Sequence, residues 1–163
     1  MASVSSFDIV SDFDQQELKN ALDQVERELR TRYDLKDTKT TIEHGDKTLT
    51  ITTDSEFTLQ QVRDLLESKL IRRNLSLKIL DYGKEEPAAG GRVRQVVTLR
   101  RGIPDDLQRQ LTKRIRDEFK KVTPQVQGDA IRVQAKNKDD LQAVIQALRA
   151  ADYPVALQFE NYR

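Results

Sequence analysis

Arg109, Lys113, Arg116 and Lys120 recur at helical spacing, opposite Leu107, Leu111 and Ile115. Such a cationic stripe can bind phosphates, and it is also what a solvated helix face presents. A second group is Thr31-Arg32-Tyr33-Asp34, in which a guanidinium suits a phosphate and a ring suits the face of a base. Its competing arrangement is a helix end where Tyr33 packs and Arg32 pairs with Asp34. A third is Lys136-Asn137-Lys138 at an expected helix start. There, exposed amides and two ammonium groups can hold a phosphate, or Asn137 simply caps the helix between loop lysines. Asp139 and Asp140 fall in the first turn of the same helix, where carboxylates satisfy the dipole, and no partner in view makes them a general acid and base.

Other chemistries are excluded by residue type. Without cysteine there is no disulfide, thiolate metal site or thiol nucleophile. The sole histidine, His44, lies in a turn with no acid or thiol to form a triad or a metal set. Neither G-x-x-x-x-G-K-[ST] nor G-x-G-x-x-G occurs, and Gly90-Gly91 is too slight for a phosphate loop. No catalytic residue, no metal and no cofactor is expected, and the chain does not read as an enzyme.

The elements that position these residues follow from periodicity. Ser6 to Ser11 reads as a strand, with Phe7 and Ile9 on one face. Asp14-Gln15-Gln16-Glu17 opens a helix whose buried stripe is Leu18, Ala21, Leu22, Val25 and Leu29 and which fades near Tyr33. Two β-branched runs, Thr40 to Glu43 and Lys47 to Thr53, flank His44-Gly45-Asp46 as a hairpin. Leu59, Val62, Leu65, Leu66 and Leu70 mark a second helix, and Leu75 to Leu80 a strand. Gly83 to Gly91 reads as a flexible linker. The order then repeats: strand Val93 to Leu99, a helix opened by Ile103-Pro104, a hairpin around Gly128-Asp129, a helix capped by Asn137, and a last strand from Val155 to Tyr162. Two β-α-β-β-α-β units make an α+β protein of two ferredoxin-like domains, each an antiparallel four-stranded sheet with two helices on one face.

At 163 residues, with 37% apolar and 34% charged, the chain reads as folded and highly soluble. It has no apolar run of transmembrane length and no signal-peptide start in Met1 to Ser5, so the cytoplasm is expected and no membrane. The net charge of +1 hides a split: residues 1–86 sum to −5 and residues 87–163 to +6. The basic second half implies an anionic partner or attraction between two packed halves.

The chain resembles the YajQ family of bacterial nucleotide-binding proteins nearly end to end. The resemblance is carried by Ser6-Phe7-Asp8-Ile9-Val10-Ser11, Thr31-Arg32-Tyr33-Asp34, Val126-Gln127-Gly128-Asp129 with Ile131-Arg132-Val133, Asp139-Asp140-Leu141-Gln142, and Gln158-Phe159-Glu160-Asn161-Tyr162-Arg163. Leu35 in place of an aromatic and Ala135 in place of glycine or serine depart from it. The family implies ribonucleoprotein-like domains with first strands exchanged. One domain is then 12–100, completed by strand 92–100. The other is 1–11 plus 101–163, completed by N-terminal strand 5–11. It also implies cytoplasmic binding of ATP, GTP, cyclic di-GMP, RNA or tRNA. The alternative is a regulatory adaptor acting on a protein partner such as a transcription factor.

Base stacking in the usual manner of this fold needs aromatics on the central strands, where only Arg132 with Gln134, or Thr50 with Thr52, are on offer and Phe7 is expected in the core. The expected nucleotide or RNA site therefore combines Arg32 and Tyr33 with Lys113, Arg116, Lys120, Arg132, Lys136 and Lys138.

Overall fold

A computed structural model describes residues 3–163, so the first two residues of the 1–11 segment lie outside the description. In chain order the elements are β1 (Ser5–Val10), α1 (Gln15–Thr31), β2 (Thr41–His44), β3 (Thr48–Thr53), α2 (Glu56–Arg72), β4 (Leu80–Ala88) and β5 (Arg92–Leu99). They continue with α3 (Asp105–Glu118), β6 (Thr123–Gln127), β7 (Ala130–Ala135), α4 (Lys138–Ala150) and β8 (Gln158–Glu160). Two four-stranded antiparallel sheets result, ordered β2-β3-β5-β4 and β6-β7-β1-β8. The fold is two α+β ferredoxin-like domains, and the compact units are Phe13–Arg100 and the remainder of the chain.

In the Phe13–Arg100 unit, Asp14 starts α1 by accepting from the amides of Gln16 and Glu17, and Ser55 starts α2 by accepting from Thr58. Leu18, Val25, Leu59, Leu66 and Leu70 from these helices close over Leu49, Ile51 and Val97 of the sheet. Leu35 is fully buried in the same core.

The fourth strand of this sheet departs from the expectation. Ser76 caps a short 3-10 turn over Leu77–Ile79, and β4 occupies much of the stretch whose composition reads as a linker. The cause is its edge position. β4 pairs with β5 alone, and its register shifts between Tyr82 and Glu85, so inward and outward residues no longer alternate. Pro87 is tolerated because an edge strand has amides that need no ladder partner. The hairpin to β5 closes through Gly90 and Gly91, whose φ angles of 76° and 73° glycine adopts without strain.

In the other unit β1 lies between β7 and β8, with Phe7 and Ile9 fully buried. Phe7 meets Phe159 edge to face, ring centres 5.9 Å apart. Leu107, Leu111 and Ile115 of α3 and Leu141, Val144 and Leu148 of α4 cover Ile131 and Val133 of β7 on that same side. The final strand is three residues long, shorter than Val155 to Tyr162. Beyond Val10 its partner turns away: the Ser11 carbonyl accepts from Gly102 and the Asp12 amide donates to the Gln158 side chain, so no ladder remains for Val155 or Leu157. Val155 is nevertheless buried as a loop residue.

Candidate functional site

α3 ends at Glu118, where Phe119 donates its amide to the Ile115 carbonyl at 2.9 Å. Lys120 therefore leaves the helical stripe and stands with Lys121 in the turn to β6, while Val122, 5% exposed, returns the chain to the core. At the far end of β7, Ala135 is buried and Lys136 turns outward before Asn137 caps α4. Thr123 and Gln134 face each other in the β6–β7 register. These element ends, with Val4 ahead of β1, line a cleft of about 560 Å3 whose walls are Val4, Lys121, Thr123, Gln134, Ala135, Lys136, Asn137 and Asp140. A second hollow of about 270 Å3, lined by Phe119, Lys120, Lys121, Val122 and Asp140, shares Lys121 and Asp140 with it.

Lys120, Lys121 and Lys136 are exposed, and none has an ion-pair partner among the described residues. Two ammonium groups lining one concave surface with no bound carboxylate suit a phosphate, since the anion replaces water without breaking an existing pair. The Asn137 side chain accepts from the Asp139 amide at 2.8 Å, so part of the helix terminus is already satisfied, and the charged groups the cleft offers are the two ammonium groups and the Asp140 carboxylate.

The other expected residues lie elsewhere. Arg132 alternates with the buried Ile131 and Val133 and so occupies the face of the sheet away from α3 and α4. Its Nε donates to Asp8 Oδ1 at 3.0 Å, and Asn161 donates to Asp8 Oδ2 at 2.9 Å. The Arg132 hydrogen bond, with help from Asn161 and against partial burial, holds the Asp8 carboxyl below its ordinary range. Lys120, in the turn after α3, lines the smaller hollow, and Arg132 lines neither hollow. Lys113 and Arg116 are exposed on α3 and line neither hollow. Lys138 lies over the Tyr162 ring, 5.9 Å from its centre. Arg32 and Tyr33 belong to the Phe13–Arg100 unit. Arg32 donates to both Asp34 oxygens at 3.1 and 2.8 Å, whereas Tyr33 is 90% exposed, with the Lys36 ammonium 5.5 Å from its ring centre.

The charge split also changes meaning. Phe13–Arg100 carries 16 Lys/Arg and 16 Asp/Glu, and the remainder 12 and 11. The −5 and +6 of the sequence halves vanish because Arg92, Arg94 and Arg100 fold with the first unit while Asp8 and Asp12 fold with the second. Local clustering of lysines, not a charged half, distinguishes the cleft. Sequence reasoning did not assign Lys121, Thr123 or Phe119 to a site, and named Gln134 only as a residue of the sheet face. The available clue was the double lysine after a helix end, Phe119-Lys120-Lys121-Val122.

The sequence model of the nucleotide-binding protein YajQ-like family matches residues 5–163. The chain belongs to this family. Similar proteins include a nucleotide-binding protein of Trichormus variabilis, 64% identical across the full length of both chains. Nucleotide-binding proteins of Synechococcus elongatus and Thermosynechococcus vestitus are 62% and 61% identical, again over both whole chains. The family is named for binding and not for a reaction. Among the described residues no helix is long and apolar enough to cross a membrane.

Proposed function

We propose that this protein binds a nucleotide in the cytoplasm without transforming it, with the phosphates held between Lys121 and Lys136 and Lys120 beside them. The carrying observation is the cleft of about 560 Å3 lined by two ammonium groups that have no partner among the described residues. Its size falls within the usual range for small-ligand sites. The family and the names of its relatives support the ligand class. ATP, GTP and cyclic di-GMP carry the required phosphates. RNA or tRNA would engage through its backbone, because the aromatics of the strands, Phe7, Tyr82 and Phe159, all pack against the cores and leave no sheet ring for a base.

Replacing Lys121 and Lys136 together with glutamine is expected to weaken ATP or GTP binding about tenfold or more and to reduce its salt dependence. The melting temperature should hold, since both side chains are exposed. Calorimetric titration across a salt series measures both quantities. Unchanged affinity and salt slope would move the site.

A second reading, an adaptor for a protein partner such as a transcription factor, is favoured by Tyr33 and Phe57, 90% and 76% exposed on the Phe13–Arg100 unit. Aromatics so exposed are typical anchors of protein interfaces. Loss of partner capture in a Tyr33→Ala, Phe57→Ala variant that still binds nucleotide would favour it.

A further inference from the structure

Asp140 is an anomaly in an anion site. Its residue is half-buried, its backbone amide donates to the Asn137 carbonyl at 3.2 Å, and its carboxylate has no hydrogen bond or ion pair with any described residue. It lines both the lysine cleft and the neighbouring hollow. A carboxylate beside a phosphate lowers phosphate affinity through like-charge repulsion. The repulsion is offset where the carboxylate accepts hydrogen bonds from ligand hydroxyls, because bonds to a charged acceptor are stronger than neutral ones.

The two hollows share a boundary. The larger presents Lys121 and Lys136 beside Val4 and Ala135, and the smaller offers the ring of Phe119 with Val122, flanked by Glu118 and Lys120. A nucleotide with its phosphates in the first and its base against the second must pass its sugar across their boundary, where the shared residues are Lys121 and Asp140. We infer that Asp140 accepts the 2′- and 3′-hydroxyls of a ribose, so that the site takes ribonucleotides and discriminates against sugars lacking those hydroxyls. This deepens the reading of the cleft as a nucleotide site and rests on it. Asp139 supplies a control: it is the other first-turn acid of α4, it is exposed, and it lines neither hollow. Both acids favour the helix dipole alike, and Asp140 alone reaches the boundary.

The experiment titrates the full chain and its Asp140→Asn and Asp139→Asn variants with inorganic tripolyphosphate, with ATP and GTP, and with their 2′,3′-dideoxy counterparts. The wild type is expected to prefer the ribonucleotide over its dideoxy form about tenfold, from two charge-assisted hydrogen bonds. Asp140→Asn should abolish most of that preference while binding tripolyphosphate about two- to threefold more tightly, through loss of one screened like charge. Asp139→Asn should keep the preference. A wild type that binds tripolyphosphate yet does not distinguish ribose from dideoxyribose overturns the assignment and leaves the phosphate cleft standing. So does an Asp140→Asn variant with the preference intact. If neither tripolyphosphate nor any nucleotide binds the wild type, the cleft reading itself falls.

Discussion

β5 completes one sheet by pairing with β3 from Val93 to Thr98 and with β4 from Arg92 to Leu99. β1 does the corresponding work in the other sheet over fewer residues, against β7 from Ser5 to Ile9 and against β8 from Asp8 to Val10. The first sheet is drawn from one continuous stretch, Phe13–Arg100. The second takes an interior strand from the opposite end of the chain. Loop-closure entropy grows only slowly with length, so a distant strand is not costly in itself. The difference lies in what remains when the chain is cut: one unit keeps all four strands, and the other loses one from the middle.

Cutting the chain gives the largest expected effect. Residues 13–100 alone should melt cooperatively as a monomer, because every strand and helix of that unit is present. Residues 101–163 alone should not, since β7 and β8 would face each other across an empty place. Residues 1–86 should aggregate or stay molten, lacking β5 between β3 and β4. Circular-dichroism melts and size-exclusion profiles of the three fragments measure this. A cooperative monomeric transition from residues 1–86 would favour a simple tandem over exchanged first strands.

The short pairing of β1 is reinforced by Asp8, whose side chain is 13% exposed and ties Arg132 of β7 to Asn161 beyond β8. Asp8→Asn should lower the melting temperature of the protein by about 5 °C, since it weakens a charge-assisted tie between neighbouring strands. The pH dependence sharpens the point. Because the folded carboxyl is held below its ordinary value of 3.8, its contribution is complete above that pH and is lost as pH falls toward the depressed value. The gap in melting temperature between wild type and Asp8→Asn should therefore be constant from pH 7 to 5 and close below pH 3.8. A gap that does not narrow at any pH below 3.8 would assign the effect to packing.

What could be read beforehand follows the same contrast. Buried elements were legible: the stripes of α1 to α4 and the inward Phe7 and Ile9 all carry periodicity that burial enforces. Of the four edge strands, β2 and β6 were legible as hairpin arms, and β4 and β8 were not: β4 hides behind a register shift, Pro87 and glycines, and β8 starts only where its partner strand has stopped turning away. The same rule governs the proposed site. Lysine-rich positions were visible as types, but Lys120, Lys121 and Lys136 sit at element ends, and only the packing of α3, β6 and β7 brings Lys121 and Lys136 to one cleft and Lys120 to the hollow beside it. Arg132 was visible too, yet strand alternation sends it to the other face.

The smallest effect is expected from the pair that looks most like Asp8–Arg132. Arg32 and Asp34 also make two hydrogen bonds, at 3.1 and 2.8 Å, and the guanidinium likewise lowers the Asp34 carboxyl. The geometry is no worse, but the setting differs. The partners are two residues apart in one loop, and their side chains are 39% and 38% exposed. Breaking the pair releases two groups that water solvates readily, and no distant strand is let go. Asp34→Asn should leave the melting temperature within error of the wild type at pH 7, and the gap between the two should change with pH less than the Asp8→Asn gap does. It also frees the Arg32 fork beside the exposed Tyr33 ring, so nucleotide titration of this variant tests the sequence-based expectation for Arg32 directly. Tighter binding than wild type would return Arg32 and Tyr33 to the ligand, while unchanged binding would leave the lysine cleft of the other unit as the site.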